Sequence, residues 1–141
     1  VTASRTKESQ ALWAEALKLI VAANRSDSED PLPLYLYYEY LKRRGETISE
    51  TATDGLAKAH VVIPQYQPLR LRLAEEYSDQ GENAAAAAVI KPAAFSPHGG
   101  AQRRTAQALL KRYECLAASP GEPCEFKPMT AEEEKKAAEE D

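Results

Sequence analysis

The chain is poor in the residue types that most often carry chemistry. Its 141 residues include two histidines, two cysteines and one methionine, and aromatic residues make up 7% of it. Neither His60 nor His98 has a carboxylate or a cysteine at the spacing of metal ligands. Glutamates that are neighbours in sequence, such as Glu75 and Glu76, do not face each other on a helix and cannot form an acid–base pair. The sequence therefore predicts no metal, no cofactor and no enzymatic activity.

Long apolar runs and clusters of basic charge are missing as well. No run reaches the roughly 18 apolar residues that a membrane-spanning helix needs. The formal net charge is −4, whereas a nucleic-acid-binding domain would show a clustered basic face. The composition therefore argues against membrane insertion and against nucleic acid as a partner.

The two cysteines, Cys115 and Cys124, leave two interpretations open. Their spacing fits no zinc or redox motif, in which cysteines usually stand about two to four residues apart. They are either incidental thiols or a disulfide that folds residues 119–123 back against the last helix. A bridge would indicate an oxidising compartment, such as the bacterial periplasm or cell envelope, and free thiols would indicate the cytoplasm.

Alanine and apolar residues at helical spacing are plentiful. Apolar side chains recur at intervals of three and four, which predicts six helices near residues 9–24, 34–44, 48–62, 68–79, 82–95 and 101–118. Residues 1–8 are polar and are expected to fray. Thr47 is the expected N-cap of the third helix, and Pro92 is expected to kink or end the fifth.

The C-terminal part differs in composition from the rest. A proline-containing loop follows residue 118, and Thr130 then opens a capping box before a run of charged residues. Residues 132–141 are expected to form either a short charged helix or a solvated acidic tail. The sequence thus divides into a helical domain at 9–118 and a loop with an acidic tail at 119–141.

Two stretches of the chain match each other at an interval of 36 residues, counted from Gly45 to Gly81. The first contains Tyr38, Leu41, Gly45, Ala52, Leu56, Ala59 and Pro64, and the second contains Ala74, Tyr77, Gly81, Ala86, Ile90, Ala93 and Pro97. A repeat of this length is typical of stacked helical hairpins.

These residues resemble the tetratricopeptide repeat, which has a small residue and an aromatic in its first helix, a glycine in the turn, alanines in its second helix and a closing proline. The first copy departs at Tyr38, where the family has a small residue, and its turn is longer. The resemblance implies an all-α fold, an α-α superhelix of antiparallel hairpins capped by the sixth helix.

The first predicted helix also resembles part of a repeat. Ala16, Ile20 and Ala23, followed by Asp30 and Pro31, look like the second helix of a hairpin whose first helix is missing. The chain is therefore expected to be a fragment of a longer protein, and the rival interpretation is a free-standing N-terminal helix with a similar apolar stripe. The alanine-rich helices suggest a bacterial source.

In the family, exposed positions on the first helix of each hairpin line a groove that binds peptides. The corresponding peptide-binding residues here are Tyr35, Glu39, Lys42, Arg43, Leu71, Glu75, Ser78, Arg103 and Gln107. The family's grip on a C-terminal carboxylate is not expected, because Leu71 and Glu75 stand where a cation and an amide would be. A groove with tyrosines and both signs of charge favours an extended or helical peptide held by apolar anchors.

The resemblance implies a scaffold or adaptor module that binds a protein or peptide and has no activity of its own. Two alternatives remain. The chain could be a structural or substrate-positioning appendage of a larger enzyme, such as a hydrolase. It could also be a self-association domain that forms a homodimer through exposed tyrosines.

Overall fold

A computed structural model describes residues 2–140, and the side chains of residues 7–140. These residues form seven helices and contain no strand, which confirms the all-α prediction. The chain divides into two compact units, one ending at Pro64 and the other beginning at Gln65. This division falls within the segment that the sequence assigns to a single helical domain.

The first unit contains three helices and the second contains four. They are α1 Thr2–Ser26, α2 Pro31–Arg43 and α3 Glu50–Val62, then α4 Gln67–Asp79, α5 Asn83–Ala94, α6 Ala101–Ala118 and α7 Ala131–Glu139. The stretch at 69–73, whose alternating pattern could indicate a strand, lies within α4. Pro92 lies inside α5, which ends two residues later at Ala94.

Two predicted helix starts are wrong. α1 begins at Thr2 instead of Ser9, because residues 2–10 include alanine, arginine, lysine and glutamate, which favour a helix even without an apolar stripe. The N-cap of α3 is Ser49, not Thr47, since the Ser49 hydroxyl accepts a 3.1 Å hydrogen bond from the N–H of Ala52. Val1 and Asp141, the outer ends of two predicted segments, lie outside the described residues.

In the first unit, α2 packs against both α1 and α3. Its core contains Tyr40, Leu41 and Ala52, and the apolar stripe of α1 packs against them. The rings of Trp13 and Tyr40 meet edge to face, with centroids 5.7 Å apart. Such an aromatic pair adds to the stabilisation that burial provides, so it fixes α1 on α2.

In the second unit, α5 packs against both α4 and α6. Five of the eight buried residues of this core are alanines, and the full set is Ala74, Ala86, Ile90, Ala93, Ala94, Ala106, Leu110 and Tyr113. Small side chains let helices approach closely. Tyr77 packs against this cluster, which includes Ala86, as a helical hairpin requires.

Gly45 ends α2 with a specific turn. It has a φ of 67°, in the region that only glycine adopts readily. Its N–H donates to the carbonyl of Lys42 at 3.1 Å, and the N–H of Glu46 donates to the carbonyl of Leu41 at 3.0 Å. This pair of bonds is the Schellman motif, which satisfies the last carbonyls of a helix.

Gly81 ends α4 in the same way. Its φ is 82°, its N–H donates to the carbonyl of Ser78 at 2.9 Å, and the N–H of Glu82 donates to the carbonyl of Tyr77 at 2.8 Å. The 36-residue sequence repeat therefore corresponds to a repeated backbone structure. The connection after α2 spans residues 44–49 and that after α4 spans 80–82. The first repeat therefore has the longer turn, as its sequence predicts.

Candidate functional site

Three of the four residues predicted to bind peptide on α2 line one cleft in the first unit. Tyr35, Glu39 and Arg43 enclose about 240 Å³ together with Trp13 and Ile20 of α1. Lys42 does not line this cleft. The contribution of Trp13 was not predicted, because the apolar stripe of α1 gives no sign of which residues stay partly exposed.

Glu39 is buried, whereas the sequence places it at an exposed position. Its residue surface is 7% exposed, and its carboxylate lies 3.5 Å from the guanidinium of Arg43. Glu39 is buried because of tertiary packing. Residues of α1 flank the same cleft and cover the face of α2 that carries Glu39. Arg43 keeps its charge in solvent, so the cleft has apolar walls and a cation at its edge.

A second cleft of the first unit, of about 660 Å³, lies between α1 and the other side of α2. Its walls include Leu17, Leu34 and Tyr37, with Arg44 at one end. The Arg44 guanidinium donates a 2.7 Å hydrogen bond to the Tyr40 hydroxyl. That bond raises the pKa of Arg44 above its ordinary value, so the end of this cleft carries a permanent positive charge.

In the second unit, the three residues predicted on α4 lie together. Leu71, Glu75 and Ser78 line a cleft of about 370 Å³, and Leu109 and Tyr113 are among the residues that α6 contributes. We call this space the α4–α6 cleft. The structure thus brings the predicted α4 residues together opposite α6.

The α4–α6 cleft is mixed in character. The Glu75 carboxylate accepts a 3.1 Å hydrogen bond from Arg72, and the Ser78 hydroxyl donates a 2.6 Å bond to the side chain of Asn83. Burial raises the pKa of Tyr113, and the nearby carboxylate of Glu75 raises it further. The Tyr113 hydroxyl therefore stays neutral at physiological pH and can donate or accept a hydrogen bond.

The two residues predicted on α6 do not line this cleft. Arg103 donates to the carboxylate of Glu134 on α7 and to the carbonyl of Ser96 at 3.2 Å. Gln107 donates a 3.3 Å bond to the carbonyl of Ala94, at the end of α5. Both side chains form hydrogen bonds within the unit and lie outside the lining of this cleft, so their contact with a peptide stays a prediction.

A third contributor to the α4–α6 cleft comes from the C-terminal segment, residues 119–140, which we call the strap. Its start is fixed by a disulfide between Cys115 and Cys124, whose Cα atoms are 5.9 Å apart. Two residues later, Phe126 lines the cleft. The bridge resolves the alternatives for the cysteines in favour of the pair.

The far end of the strap is held by charge. The Thr130 hydroxyl caps α7 by accepting a 3.2 Å bond from the N–H of Glu133, as the predicted capping box requires. The Glu134 carboxylate accepts hydrogen bonds from Arg103 and, at 2.7 Å, from Arg104. These bonds, with that of Arg104 the stronger, lower the pKa of Glu134.

Residues 2–140 contain no clustered metal ligands. No group of three or more histidine, cysteine, aspartate or glutamate side chains in that range is placed to hold a metal ion. No helix described there is both long and apolar enough to cross a membrane. The clefts and the strap are thus the features on which a function can be argued.

Comparison of the chain with protein-family models, with curated proteins and with solved structures gives no match. The tetratricopeptide resemblance therefore depends on the residues and the helix ends described above.

Proposed function

We propose that this chain is a helical-repeat module of the tetratricopeptide kind, and that it binds an extended peptide or protein segment as a scaffold or adaptor without activity of its own. The observation that carries the proposal is the α4–α6 cleft. Leu71, Glu75 and Ser78 form one of its walls, at the positions that the resemblance assigns to peptide contacts.

The repeat itself supports the same proposal. Gly45 and Gly81 end α2 and α4 with the same two Schellman bonds, and their interval of 36 residues is close to the roughly 34 residues of this repeat family. Proteins built from such hairpins generally use them as binding surfaces.

The chemistry of the cleft favours a peptide over a small charged metabolite. Leu71, Leu109 and Tyr113 offer apolar surface, while Glu75 and Arg112 place opposite charges at its edge. An extended peptide uses such a site by inserting an apolar anchor and by placing its polar groups along the rim.

The disulfide supports an oxidising compartment for this function. A bridge such as that between Cys115 and Cys124 forms and persists in the periplasm or outside the cell, and is rare where thiols are kept reduced. We therefore place the module in a bacterial periplasm or cell envelope.

The test is selection from a displayed library of random peptides, with binding of the recovered peptides measured by fluorescence anisotropy. The Leu71→Asp variant places a charge in the apolar wall. It is expected to bind the recovered peptides at least about tenfold more weakly, as loss of a central apolar contact does. The control is Lys91→Glu, an exposed position on α5, which should leave affinity unchanged. Recovery of no peptide, or equal affinity for the Leu71→Asp variant, would contradict the proposal.

Self-association is a second candidate, because α1 exposes large apolar side chains. Leu12 is 72% exposed and Leu19 is 63% exposed, and a spacing of seven residues places them on one face of the helix. Sedimentation equilibrium of the wild type and of a Leu12→Gln/Leu19→Gln variant tests it. A wild type that stays monomeric at high concentration would rule out the homodimer.

A further inference from the structure

We propose that the strap occupies the peptide site of the second unit in cis, and that the partner which displaces it is an acidic peptide with an aromatic residue about eight positions before a key carboxylate. This inference rests on the proposed function. It assigns to the α4–α6 cleft both a class of ligand and a built-in competitor.

The path of the strap is the first argument. Cys115, near the end of α6, holds Cys124, and Arg103 and Arg104, near the start of α6, hold Glu134. Cys115 lies eleven positions after Arg104, which corresponds to about 16 Å along the helix axis. Residues 124–130 belong to no helix, and a chain segment of this length can reach about 20 Å. The strap therefore runs back along α6, in the opposite direction.

The contents of the strap are the second argument. Between its two attachments it places Phe126, which is 44% exposed, on the lining of the α4–α6 cleft with Leu71, Leu109 and Tyr113. A peptide bound in a groove likewise combines an apolar anchor with polar contacts along the rim. The strap thus has the form of a bound ligand, and Phe126 and Glu134 are its two contacts.

The charge on the two surfaces is the third argument. α6 carries four basic side chains and one acidic one, whereas residues 119–140 carry seven carboxylates and three lysines. α6 and the strap are complementary in sign, whereas the α4 wall of the cleft carries the carboxylates of Glu75 and Asp79. The acidic part of a ligand is therefore expected along α6, at Arg103 and Arg104.

The attachment of α7 is weak enough to be reversible. None of its residues is buried, and the side chain of Glu134, at 16% exposed, is its main point of contact. A helix of nine residues is not stable by itself in water. Because partly exposed ion pairs are weakened by salt, an acidic peptide in solution can compete for Arg103 and Arg104.

Gly99 leaves room for the ion pair between Arg103 and Glu134. A Cβ atom added at Gly99 would lie 3.3 Å from the Arg103 guanidinium and 3.5 Å from the Glu134 carboxylate. A side chain at this position would crowd the place where the carboxylate binds, whether that carboxylate comes from the strap or from a partner.

The experiment uses a fluorescent synthetic peptide of residues 119–140 with serine at position 124, and the full chain as receptor. In the wild type the strap competes at the high effective concentration of a tethered segment, so the peptide should bind weakly. The Glu134→Gln variant releases one attachment and should bind the peptide at least about tenfold more tightly. Phe126→Ala removes the side chain that the strap places at the cleft and should also gain affinity for the peptide.

The matched control is Glu132→Gln, which removes an equal charge from an exposed position of α7 and should bind the peptide as the wild type does. Adding Arg104→Ala to the Glu134→Gln variant should abolish the gain, and so should adding Leu71→Asp. Circular dichroism checks that each variant keeps its helix content.

Two negative results have different meanings. If Glu134→Gln and Phe126→Ala bind the strap peptide no better than the wild type, while library peptides still bind in a Leu71-dependent manner, the strap inference is overturned and the proposed function stands. If neither the strap peptide nor any library peptide binds, both are overturned.

Discussion

The guanidinium of Arg70 on α4 donates a 2.7 Å hydrogen bond to the carbonyl oxygen of Val89 on α5. Arg70 is buried, and that burial lowers its pKa. Pro92 has no N–H to donate to the carbonyl of Ala88, the usual acceptor one turn earlier. Arg70 therefore contributes a donor to the part of α5 where the regular helix bonding is interrupted.

We expect Arg70→Met to lower the free energy of unfolding by about 1.5–3 kcal/mol, because a hydrogen bond from a charged group is lost within the unit. Arg72→Met is the matched control on the same helix. Its ion pair with Glu75 is partly exposed to solvent, with side chains 33% and 44% exposed, and should contribute less than about 1 kcal/mol. Urea unfolding followed by circular dichroism measures both, and equal losses would contradict the role given to Arg70.

The two repeat glycines should be intolerant of a side chain for a conformational reason alone. Gly45 and Gly81 have positive φ, and an added Cβ would meet no atom within 4 Å at either position. Alanine there should cost about 1–2 kcal/mol of stability through backbone strain.

Gly55, inside α3, is the control for those two substitutions. An added Cβ would lie 3.5 Å from Leu34, an ordinary contact distance. Gly55→Ala should therefore stabilise the chain by about 0.5–1 kcal/mol, because alanine favours a helix more than glycine does. Thermal unfolding of the three variants compares their stabilities. A loss of stability in Gly55→Ala as large as that in Gly81→Ala would contradict the explanation by backbone strain.

Reduction of the disulfide should loosen the strap locally. Without the link between Cys115 and Cys124, the strap loses its attachment near the end of α6, and chymotrypsin should cut after Phe126 several-fold faster. Phe95, which is 70% exposed at the end of α5, provides an internal control and should be cut at an unchanged rate. Mass spectrometry of the early digest measures both cleavage rates. An equal increase in cleavage after Phe126 and after Phe95 would indicate general unfolding instead.

The docking of α7 should be lost in acid. The pKa of Glu134 is lowered, mainly by the hydrogen bond from Arg104 and then by that from Arg103. A carboxyl with a lowered pKa stabilises the docked state fully above its ordinary pKa of about 4.3 and loses that effect as the pH falls through the lowered value. Both arginines stay charged throughout this range.

Amide chemical shifts of Thr130 and Glu133, followed by NMR from pH 7 downward, would report this transition. The Glu134→Gln variant should give the undocked shifts at every pH. Raising the salt concentration at neutral pH should move the wild type in the same direction, since salt screens the ion pair. A wild type that keeps its shifts below the lowered pKa would contradict the role of Glu134.

Local patterns in the sequence predicted the number of helices before the strap and the turns that end α2 and α4, but they misplaced the start of α1 and the N-cap of α3. The glycine spacing and the matching residues around it predicted the equivalent turns after α2 and α4, because a Schellman motif depends on a few neighbouring residues. Thr130 was identified as a cap for the same reason. The α4 residues Leu71, Glu75 and Ser78 were identified through the family resemblance, and the structure places all three on the lining of one cleft.

The rest of the site depends on contacts between distant residues. Arg103 and the acidic segment each have a recognisable local pattern, but nothing in either pattern pairs Arg103 with Glu134, 31 residues later. Likewise, Glu39 looks exposed on α2 by itself and is buried only because α1 packs beside it. Local spacing carries no information on such pairings.

The alanine core of the second unit determines more than its stability. Ala74, Ala86 and Ala106 lie where α4, α5 and α6 meet, so the distances between these helices depend on how small those side chains are. α4 and α6 are also the two walls of the α4–α6 cleft. The width of the cleft therefore depends on buried methyl groups that a bound peptide does not contact. Replacing one of these alanines with a larger residue could alter ligand selectivity while every lining side chain stayed the same.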